Sequence, residues 1–493
     1  MPWREMTREQ GWLLPPTLDD LLTDGHPARF VAAFVDGLTQ AEWAELGVNM
    51  EGEALGAPAY HPRALLCVWL YGFMTGVRSS RKLEGACQDQ IPYLWLTGWQ
   101  HPDHNTLWRF YQAHRLHLRS LLRQTVRTAV RLDLVDWAVQ AVDGTKVAGD
   151  AATERTYGQE ALEGLLARTE AAILGLEAQN EGGNDPPPPN LPKELRQVQR
   201  LRERVLEARR SLEERGKARV NLTDPDAGFM RGAHGYVLGY NAQAMAAPVK
   251  GGGGMLITAA EVTQDPVDNG QLVPLIEAAR DNTMDNTDEN SHPIPLTLAD
   301  TGYFSGANLT ACEEQGLAVA MPENQPHPAH PYHKDRFTYD PSTDTYTCPK
   351  GQTLAFSHIA KRKSKEPVRV YRPPRSVCRR CPAMGICTKN RTHGRLLEVT
   401  AHDRALRKHR RWMETPEAKS AFRRRKGLIE PVFGILKEQM GARRFLLRGL
   451  AAVQGEWTLL AAAFNLRSLW KAGRRPTGGP SPSVSPRSLL ATS

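Results

Sequence analysis

Residues 137–149 read WAVQAVDGTKVAG, and this stretch decides the fold class of the chain. The run is short and alternates between apolar and polar residues, so it predicts a strand that ends in a turn at Asp143-Gly144. Similar short apolar runs follow at 235–246, 255–262 and 294–299, and the last of them leads directly into Asp300. Because helices are predicted between the later strands, we expect an α/β domain built around a sheet.

The predicted order is three strands, a helix, a strand, a helix, a strand and then helices. This is the order of an RNase H-like catalytic domain, which we expect at residues 138–470. Two insertions would interrupt it. One is a pair of charged amphipathic helices at 151–220, divided by the linker NEGGNDPPPPNLP, and the other is a Cys-rich segment at 322–398. The tail, 471–493, is low in apolar residues and is expected to be disordered.

Residues 1–137 are predicted to form a helical N-terminal domain. Pro62 precedes the apolar run ALLCVWLYGFMTG, which indicates a buried helix with proline in its first turn. Ser79 and Ser80 are candidate caps of a second helix, and Thr106 opens a third. The pattern fits a DNA-binding domain and fits a packing domain without a ligand equally well. Candidates for reading DNA sequence are Trp99, His101, His104 and Arg109.

The charge of the chain is concentrated in one segment. The net charge of the 493 residues is +9, and residues 401–450 alone contain 14 Lys and Arg against 5 Asp and Glu, a local balance of +9. Such a segment favours a polyanionic partner, although a solvated basic face is the alternative. The basic clusters are 404–411 and 423–426 (Arg423, Arg424, Arg425, Lys426), with Arg443, Arg444 and Arg448.

Nothing in the sequence indicates a membrane protein. The longest apolar runs are far shorter than the roughly 20 residues that span a bilayer. The N-terminus, MPWREMTREQ, lacks the charged-then-apolar pattern of a signal peptide. A soluble, cytoplasmic protein is expected.

Three carboxylates are candidates for a metal site. Asp143 and Asp300 each follow a predicted strand, and neighbouring strand ends can share two Mg²⁺ ions roughly 3.5–4 Å apart for phosphodiester chemistry. Glu430 is the best third ligand, because it lies among cations in FRRRKGLIEPVFGILK. Lys437 is two helical turns further on and is predicted to share its face. The structural alternatives are an ordinary Asp-Gly turn and a salt-bridged helix surface.

These segments resemble the DDE transposases of bacterial insertion sequences, in the branch with an internal cysteine cluster. AVDGTKV resembles the first-Asp motif, LADTGYF the second-Asp motif and FRRRKGLIEPVFGILKEQMGARRFLLRGL the Glu motif. The resemblance covers roughly residues 5–470, although relatives often have tyrosine where this chain has Phe422. It implies catalytic and metal-binding roles for Asp143, Asp300 and Glu430. It also implies DNA contacts from Arg425 and Lys437.

The resemblance implies a transposase that depends on Mg²⁺ or Mn²⁺. Water would nick DNA at the end of the element, and the freed 3′-OH would attack target DNA. The implied partners are the terminal inverted repeats, the target DNA and a second copy of the chain, with the protein in the cytoplasm at the nucleoid. A metal-dependent nuclease of the same fold without strand transfer is one alternative. A DNA-binding derivative without catalysis is another, but the presence of all three acids favours an enzyme.

Four of the seven cysteines cluster between residues 348 and 387: Cys348, Cys378, Cys381 and Cys387. Four thiolates suit a closed, tetrahedral, structural Zn²⁺ site, and Cys378-x2-Cys381 has the spacing of half a zinc knuckle. Cysteines without a metal are the alternative, because the gap between Cys348 and Cys378 is long. Cys67, Cys87 and Cys312 are predicted to be small buried hydrophobic residues.

Overall fold

The computed structural model describes residues 17–51, 59–181, 193–232, 235–252, 254–284, 296–323, 330–361 and 366–474. The chain divides into two compact units. Unit 1 comprises Met1–Val267, Leu275–Pro293 and Gly427–Ser493, and unit 2 comprises Asp268–Pro274 and Ile294–Lys426. The predicted tail lies outside the described residues from 475 onward. Within the described part, no helix is both long enough and apolar enough to cross a membrane.

Unit 1 begins with helices, as the sequence predicts. They are α1 (Pro27–Asp36), α2 (Gln40–Glu45), α3 (Pro62–Thr75), α4 (Ser80–Asp89), α5 (Ile91–Thr97), α6 (His104–His114) and α7 (Leu118–Arg131). Proline does open the buried helix α3, and the Ser79 side chain caps α4 by accepting from the Lys82 amide. The prediction for α6 is wrong at its start. Asp103, not Thr106, caps the helix, because its carboxylate accepts the Thr106 amide at 2.7 Å.

The next elements form an antiparallel sheet and a helical pair. They are β1 (Val139–Ala148), β2 (Thr156–Tyr157), α8 (Gln159–Glu181), α9 (Lys193–Arg215), β3 (Val220–Asn221), β4 (Gly228–Gly232), β5 (Gly235–Val249) and β6 (Gly254–Thr263). Strand β5 is central, with β1 along one edge and β4 and β6 in succession along the other. The predicted strands at 235–246 and 255–262 are confirmed. Helices α8 and α9 pack through Leu162, Val205 and Leu212.

Unit 2 contains a parallel strand pair and a separate antiparallel sheet. Helix α10 (Leu272–Thr283) begins in unit 2 but belongs to unit 1 from Leu275 onward. In unit 2, β7 (Leu296–Leu298), α11 (Gly306–Glu314) and β8 (Val319–Ala320) follow, and β7 and β8 pair in parallel. Strands β9 (Thr338–Asp340), β10 (Thr345–Thr347), β11 (Thr353–Ala360), β12 (Val368–Arg372) and β13 (Leu397–Val399) then pair in the order β13-β12-β11-β10-β9. The short helix α12 (Arg375–Arg379) follows β12. The sequence did not predict this sheet, whose core includes Phe337, Tyr346 and Tyr371.

The chain ends in helices α13 (Asp403–Met413), α14 (Pro416–Arg423), α15 (Arg425–Gly434) and α16 (Leu450–Gly473), with a π-helical turn at Ile435–Gln439. In unit 1, α16 covers the outer edge of β6. The Asn465 amide bonds both the N–H and the C=O of Ile257, and Gln454 bonds the Val262 amide and the Ala260 carbonyl. These side chains satisfy an edge that would otherwise be open to pairing. The mixed α/β structure is consistent with an RNase H-like fold.

Candidate active site

Asp143 lies in the middle of β1, and the predicted turn at Asp143-Gly144 is wrong. The strand continues to Ala148, and Asp143 and Gly144 pair with Ala244 and Gln243 of β5. Pairing with a long central strand has outweighed the local turn tendency of Asp-Gly. Asp143 is half-buried, and its carboxylate accepts the Gly144 amide at 2.8 Å.

The Glu-motif helix reaches this strand through Lys437. Glu430 is exposed on α15, and Lys437 follows in the π-helical turn, where its ammonium group donates a hydrogen bond to the Thr145 hydroxyl of β1. Burial lowers the pKa of Lys437, Arg443 lowers it further, and the Asp143 carboxylate acts in the opposite direction. Two sequence motifs separated by about 290 residues therefore meet inside unit 1. π-turns often occur at functional positions in helices.

The segment after the π-turn runs beside the end of β1. The Phe445 amide donates to the Ala148 carbonyl at 2.8 Å, and Arg448 pairs with Asp150 at 2.8 Å. Arg78, which precedes α4, holds the same segment through the carbonyls of Gly441 and Arg444.

The Arg78 guanidinium also pairs with the buried carboxylate of Glu456. That carboxylate accepts the amides of Leu446 and Leu447 at 3.0–3.1 Å. The N-terminal helices, the segment 441–447 and α16 are thus connected by one buried network.

Asp300 belongs to unit 2, two residues after β7. Its carboxylate caps a short 3₁₀ turn by accepting the Gly302 amide at 2.8 Å. A Cβ on Gly302 would lie 3.0 Å from the Asp300 carboxylate and 3.3 Å from that of Asp268. Asp268 is therefore a second acidic residue beside Asp300 that the sequence reasoning missed. Its only local signal is the Asp-Asn-Gly turn before α10.

The three predicted acids are divided between the units, with Asp143 and Glu430 in unit 1 and Asp300 in unit 2. Among the described residues, no group of three or more His, Cys, Asp or Glu side chains has an arrangement that could hold a metal ion. The chemistry of the donor set still fits Mg²⁺, because all three side chains offer hard oxygen ligands.

The basic residues fall into exposed and buried groups. Arg423, Arg424, Lys426, Arg443 and Arg444 are exposed. Arg425 is only 9% exposed, so it is not part of the exposed basic surface. In the cluster 404–411, Arg410 is buried and donates to both Glu323 and Asp335 at 2.7–2.9 Å. That arginine stabilises unit 2 and is already neutralised, so it is withdrawn from the predicted DNA-contacting set.

The four clustered cysteines surround one small cavity of unit 2. Cys348, Cys378, Cys381 and Cys387 all line it, and its volume is about 30 Å³. Burial raises the pKa of the Cys387 thiol, Arg395 opposes this, and the other three thiols raise the pKa further. The fold therefore brings Cys348 close to the other three despite the long gap in sequence.

Backbone amides already point at two of these sulfurs. The Sγ atom of Cys348 accepts the amides of Lys350 and Gln352 at 3.4 Å, and Sγ of Cys378 accepts the Arg395 amide at 3.5 Å. Gly394 lies against Cys378 so closely that a Cβ there would be 2.9 Å from Sγ. The remaining Cys67, Cys87 and Cys312 are buried, as predicted.

The predicted DNA-reading residues of the N-terminal helices have varied surroundings. Trp99 is 55% exposed at a positive φ of 66°, and Arg109 is exposed. His101 bonds the Cys87 carbonyl at 2.8 Å, and His104 bonds Glu84 at 2.9 Å. The two histidines thus have structural partners, whereas Trp99 and Arg109 face solvent.

Comparison with known families gives two matches. Residues 347–470 match the family described as Transposase DDE domain, and residues 16–113 match the family described as Transposase domain (DUF772). The first match contains the cysteine cluster and Glu430, and the second contains α1 to α5 and most of α6. No curated protein matches the chain.

Proposed function

Because the two family matches indicate a DDE transposase of an insertion sequence, we propose that this protein cleaves DNA at the ends of its element and joins the freed ends to target DNA. One observation carries the proposal. The segment that resembles the Glu motif lies against the strand that resembles the first-Asp motif, through Lys437 to Thr145 and Phe445 to Ala148. Lys437 is half-buried near the Asp143 carboxylate. Packing alone would not require a charged side chain at this position.

Asp143, Asp300 and Glu430 are the proposed carboxylates for Mg²⁺ or Mn²⁺. When bound, such ions activate an attacking oxygen and stabilise the leaving oxygen of a phosphodiester. Within unit 1, β1 orients Asp143 by pairing on β5, and the Gly144 amide fixes one of its oxygens. Within unit 2, the 3₁₀ turn orients Asp300 in the same manner through Gly302. Lys437 supplies a positive charge next to Asp143 that suits a DNA phosphate.

DNA contact is assigned to the exposed basic residues. These are Arg423, Arg424 and Lys426 in unit 2, with Arg443 and Arg444 in unit 1. Each neutralised phosphate should steepen the salt dependence of binding by about 0.9 in a log–log plot. Because an element has two ends, we also propose that two copies of the chain act together on the DNA.

The test uses end cleavage and strand transfer. Wild-type protein with Mg²⁺ should nick a duplex carrying the inverted repeat that flanks the reading frame, and Asp143→Asn should abolish nicking while end binding persists. Asp136→Asn, on a partly exposed carboxylate in the loop before β1, is the control and should cleave normally, because the asparagine oxygen can still accept the Ala138 amide. Cleavage by Asp143→Asn at the wild-type rate would refute the assignment. If the protein nicks DNA but does not transfer a pre-cut 3′-OH end, it is a nuclease. If it binds DNA but does not nick it, it is a catalytically silent DNA-binding protein.

We also propose that the four cysteines bind one structural Zn²⁺. A cavity of about 30 Å³ has room for a single ion or water, and four thiols line it. The backbone amides of Lys350 and Gln352 donate to Sγ of Cys348, and that of Arg395 donates to Sγ of Cys378, contacts that also suit metal-bound sulfur. Cys348, Cys378, Cys381 and Cys387 would hold the ion, which would supply a structural cross-link between the segments that carry them.

Metal analysis tests the zinc proposal. Protein purified under reducing conditions with zinc supplied should contain about one zinc per chain. Cys378→Ser should lose the metal and lower the thermal stability, whereas Cys312→Ser, a buried cysteine outside the cluster, should retain it. A zinc content near zero in the folded wild-type protein would show that these cysteines are metal-free.

A further inference from the structure

Helix α8 carries a second apolar face, on the side opposite to α9. Its inner face includes Leu162 and Thr169, which are buried, and Leu162 packs with residues of α9. The outer face consists of six exposed residues with no charge among them: Gly164, Ala167, Ala171, Leu174, Gly175 and Ala178. Leu174 is 67% exposed. A helix with apolar residues on two opposite sides is expected to be covered on both, and the described part of the chain covers only the inner one.

The outer face follows the repeat of a coiled coil. Its residues at 164, 167, 171, 174 and 178 are separated by three and four positions in alternation, which is the spacing of positions a and d of a heptad. This repeat lies on the exposed side of α8, so it is not the one that joins α8 to α9. Positions a and d of such a repeat pack against another helix.

Two glycines on the outer face favour a helix that approaches closely. Glycine inside a helix is less stable than alanine. Apart from the backbone of α8 itself, no described atom lies within 4 Å of a Cβ placed on Gly164 or Gly175. The packing within this chain therefore requires neither glycine. Small residues at a contact do allow the axes of two helices to lie close together.

The charges beside the outer face define the partner and its direction. In the same heptad, Glu163, Glu170 and Glu177 occupy position g, and Arg168 occupies position e. In a parallel pair, position g of one helix faces position e of the next heptad on the other helix, which places Glu163 opposite the partner's Arg168. In an antiparallel pair, position g faces position g, so glutamates would meet. The pattern therefore suits two identical helices that run in parallel.

The pair Glu163 and Arg168 is available for this contact. Both side chains are exposed, and the Glu163 carboxylate accepts only a neighbouring side-chain amide, that of Gln159, at 3.1 Å among the contacts of the described residues. Glu170, in contrast, pairs with Arg202 of α9 at 3.3 Å. The charge complementarity between two copies thus depends on Glu163 and Arg168.

We propose that the outer face of α8 pairs in parallel with the outer face of α8 in a second copy of this chain. This pairing rests on the proposed function, because an element with two ends requires two copies of the chain. A contact of about two heptads is small beside the roughly 1,200 Å² of a stable protein–protein interface. The dimer should therefore be weak in the free protein and become stronger when DNA holds two copies close together.

Cysteine cross-linking tests the contact and its direction. In a parallel pair, residue 171 lies beside its own counterpart, and a disulfide joins Cα atoms that are about 4.4–6.8 Å apart. Under mild oxidation, full-length Ala171→Cys should therefore form a disulfide-linked dimer, with end DNA and more weakly without it. Ala172→Cys is the matched control, because Ala172 is also exposed on α8 but lies off the outer face, and it should stay monomeric on a non-reducing gel. Wild-type protein, with its seven native cysteines, gives the background.

A charge exchange tests the pair of Glu163 and Arg168. In a parallel dimer, Glu163→Arg places like charges at two symmetric contacts, so the dissociation constant of the free dimer, measured by sedimentation, should rise about tenfold. Glu163→Arg/Arg168→Glu exchanges both charges and should restore the wild-type value. In an antiparallel dimer, Glu163→Arg would remove the repulsion between glutamates and tighten the dimer, and that result would overturn the proposal.

The outcomes separate the α8 contact from the proposed function. If wild-type protein cleaves end DNA but Ala171→Cys cross-links no better than Ala172→Cys, the α8 contact is wrong and the transposase proposal stands. If Ala171→Cys cross-links and the charge exchange restores the dimer, but wild-type protein nicks no end DNA, the α8 contact stands and the proposed function fails. A wild-type protein that stays monomeric both with and without end DNA would show that the outer face does not bind a second copy, which overturns the proposal.

Discussion

Replacing Arg78 by methionine should destabilise unit 1 by about 3 kcal/mol. The side chains of Arg78 and Glu456 are 5% and 2% exposed, so the variant leaves a carboxylate buried without its cation. Breaking a buried ion pair from one side typically costs about 3–5 kcal/mol. The amides of Leu446 and Leu447 still donate to Glu456, which places the loss at the lower end of that range.

Urea unfolding followed by tryptophan fluorescence measures this loss. With a slope of about 2–3 kcal/mol per molar urea, the midpoint should fall by roughly 1 M. The double variant Arg78→Met/Glu456→Gln removes both charges and keeps an acceptor for the two amides. It should therefore recover the part of the loss that comes from the unpaired charge, but not the bonds from Arg78 to the carbonyls of Gly441 and Arg444.

The stability loss of Arg78→Met should depend on pH through the ionisation of Glu456. Burial raises the pKa of Glu456, and Arg78 opposes this rise. Without Arg78 the folded pKa rises further, and protonation removes the unpaired charge. The deficit of Arg78→Met should therefore be largest at neutral pH and shrink as the pH falls through the raised folded pKa. A deficit below about 1 kcal/mol, or a double variant no more stable than the single, would refute the reasoning.

Three other changes have defined outcomes. Gly302→Ala should displace the carboxylate of Asp300 by a few tenths of an ångström, so metal-dependent nicking should fall roughly tenfold while the urea midpoint stays unchanged. Nicking at the wild-type rate would show that activity does not depend on this position of Asp300. Lys437→Arg should remove any alkaline loss of DNA binding, because burial lowers the pKa of Lys437 and arginine stays charged; a persistent alkaline loss would assign it to another group. Glu323→Gln should cost about 1–3 kcal/mol at neutral pH. Burial raises the pKa of Glu323, but the hydrogen bonds from Arg410 outweigh burial and hold the pKa below 4.5. The wild-type protein should therefore be more stable than the variant above pH 4.5, and this advantage should vanish as the pH falls through the lowered folded pKa. Acid titration of both proteins measures the difference.

Local sequence patterns alone were sufficient to predict several helices, one strand and the candidate site residues. The apolar run after Pro62, the serine before α4 and the alternating residues that precede Asp143 are local patterns, and the corresponding helices and strand are present. The three acids and the clustered cysteines are recognisable for the same reason, because each lies in a short motif of characteristic composition. The family match over residues 347–470 contains Glu430 and the four clustered cysteines, whereas the roles of the three acids stay predictions.

Only the tertiary structure decided which of the predicted residues are exposed and which are buried. Arg410 and Arg425 are indistinguishable from their neighbours in sequence, yet packing buries both. The continuation of β1 through Asp143-Gly144 depends on pairing with β5, whose residues are about 100 positions away. The cysteine cavity unites Cys348 with residues 30 or more positions later. Burial and long-range pairing are set by contacts across the whole chain, which a local pattern does not contain.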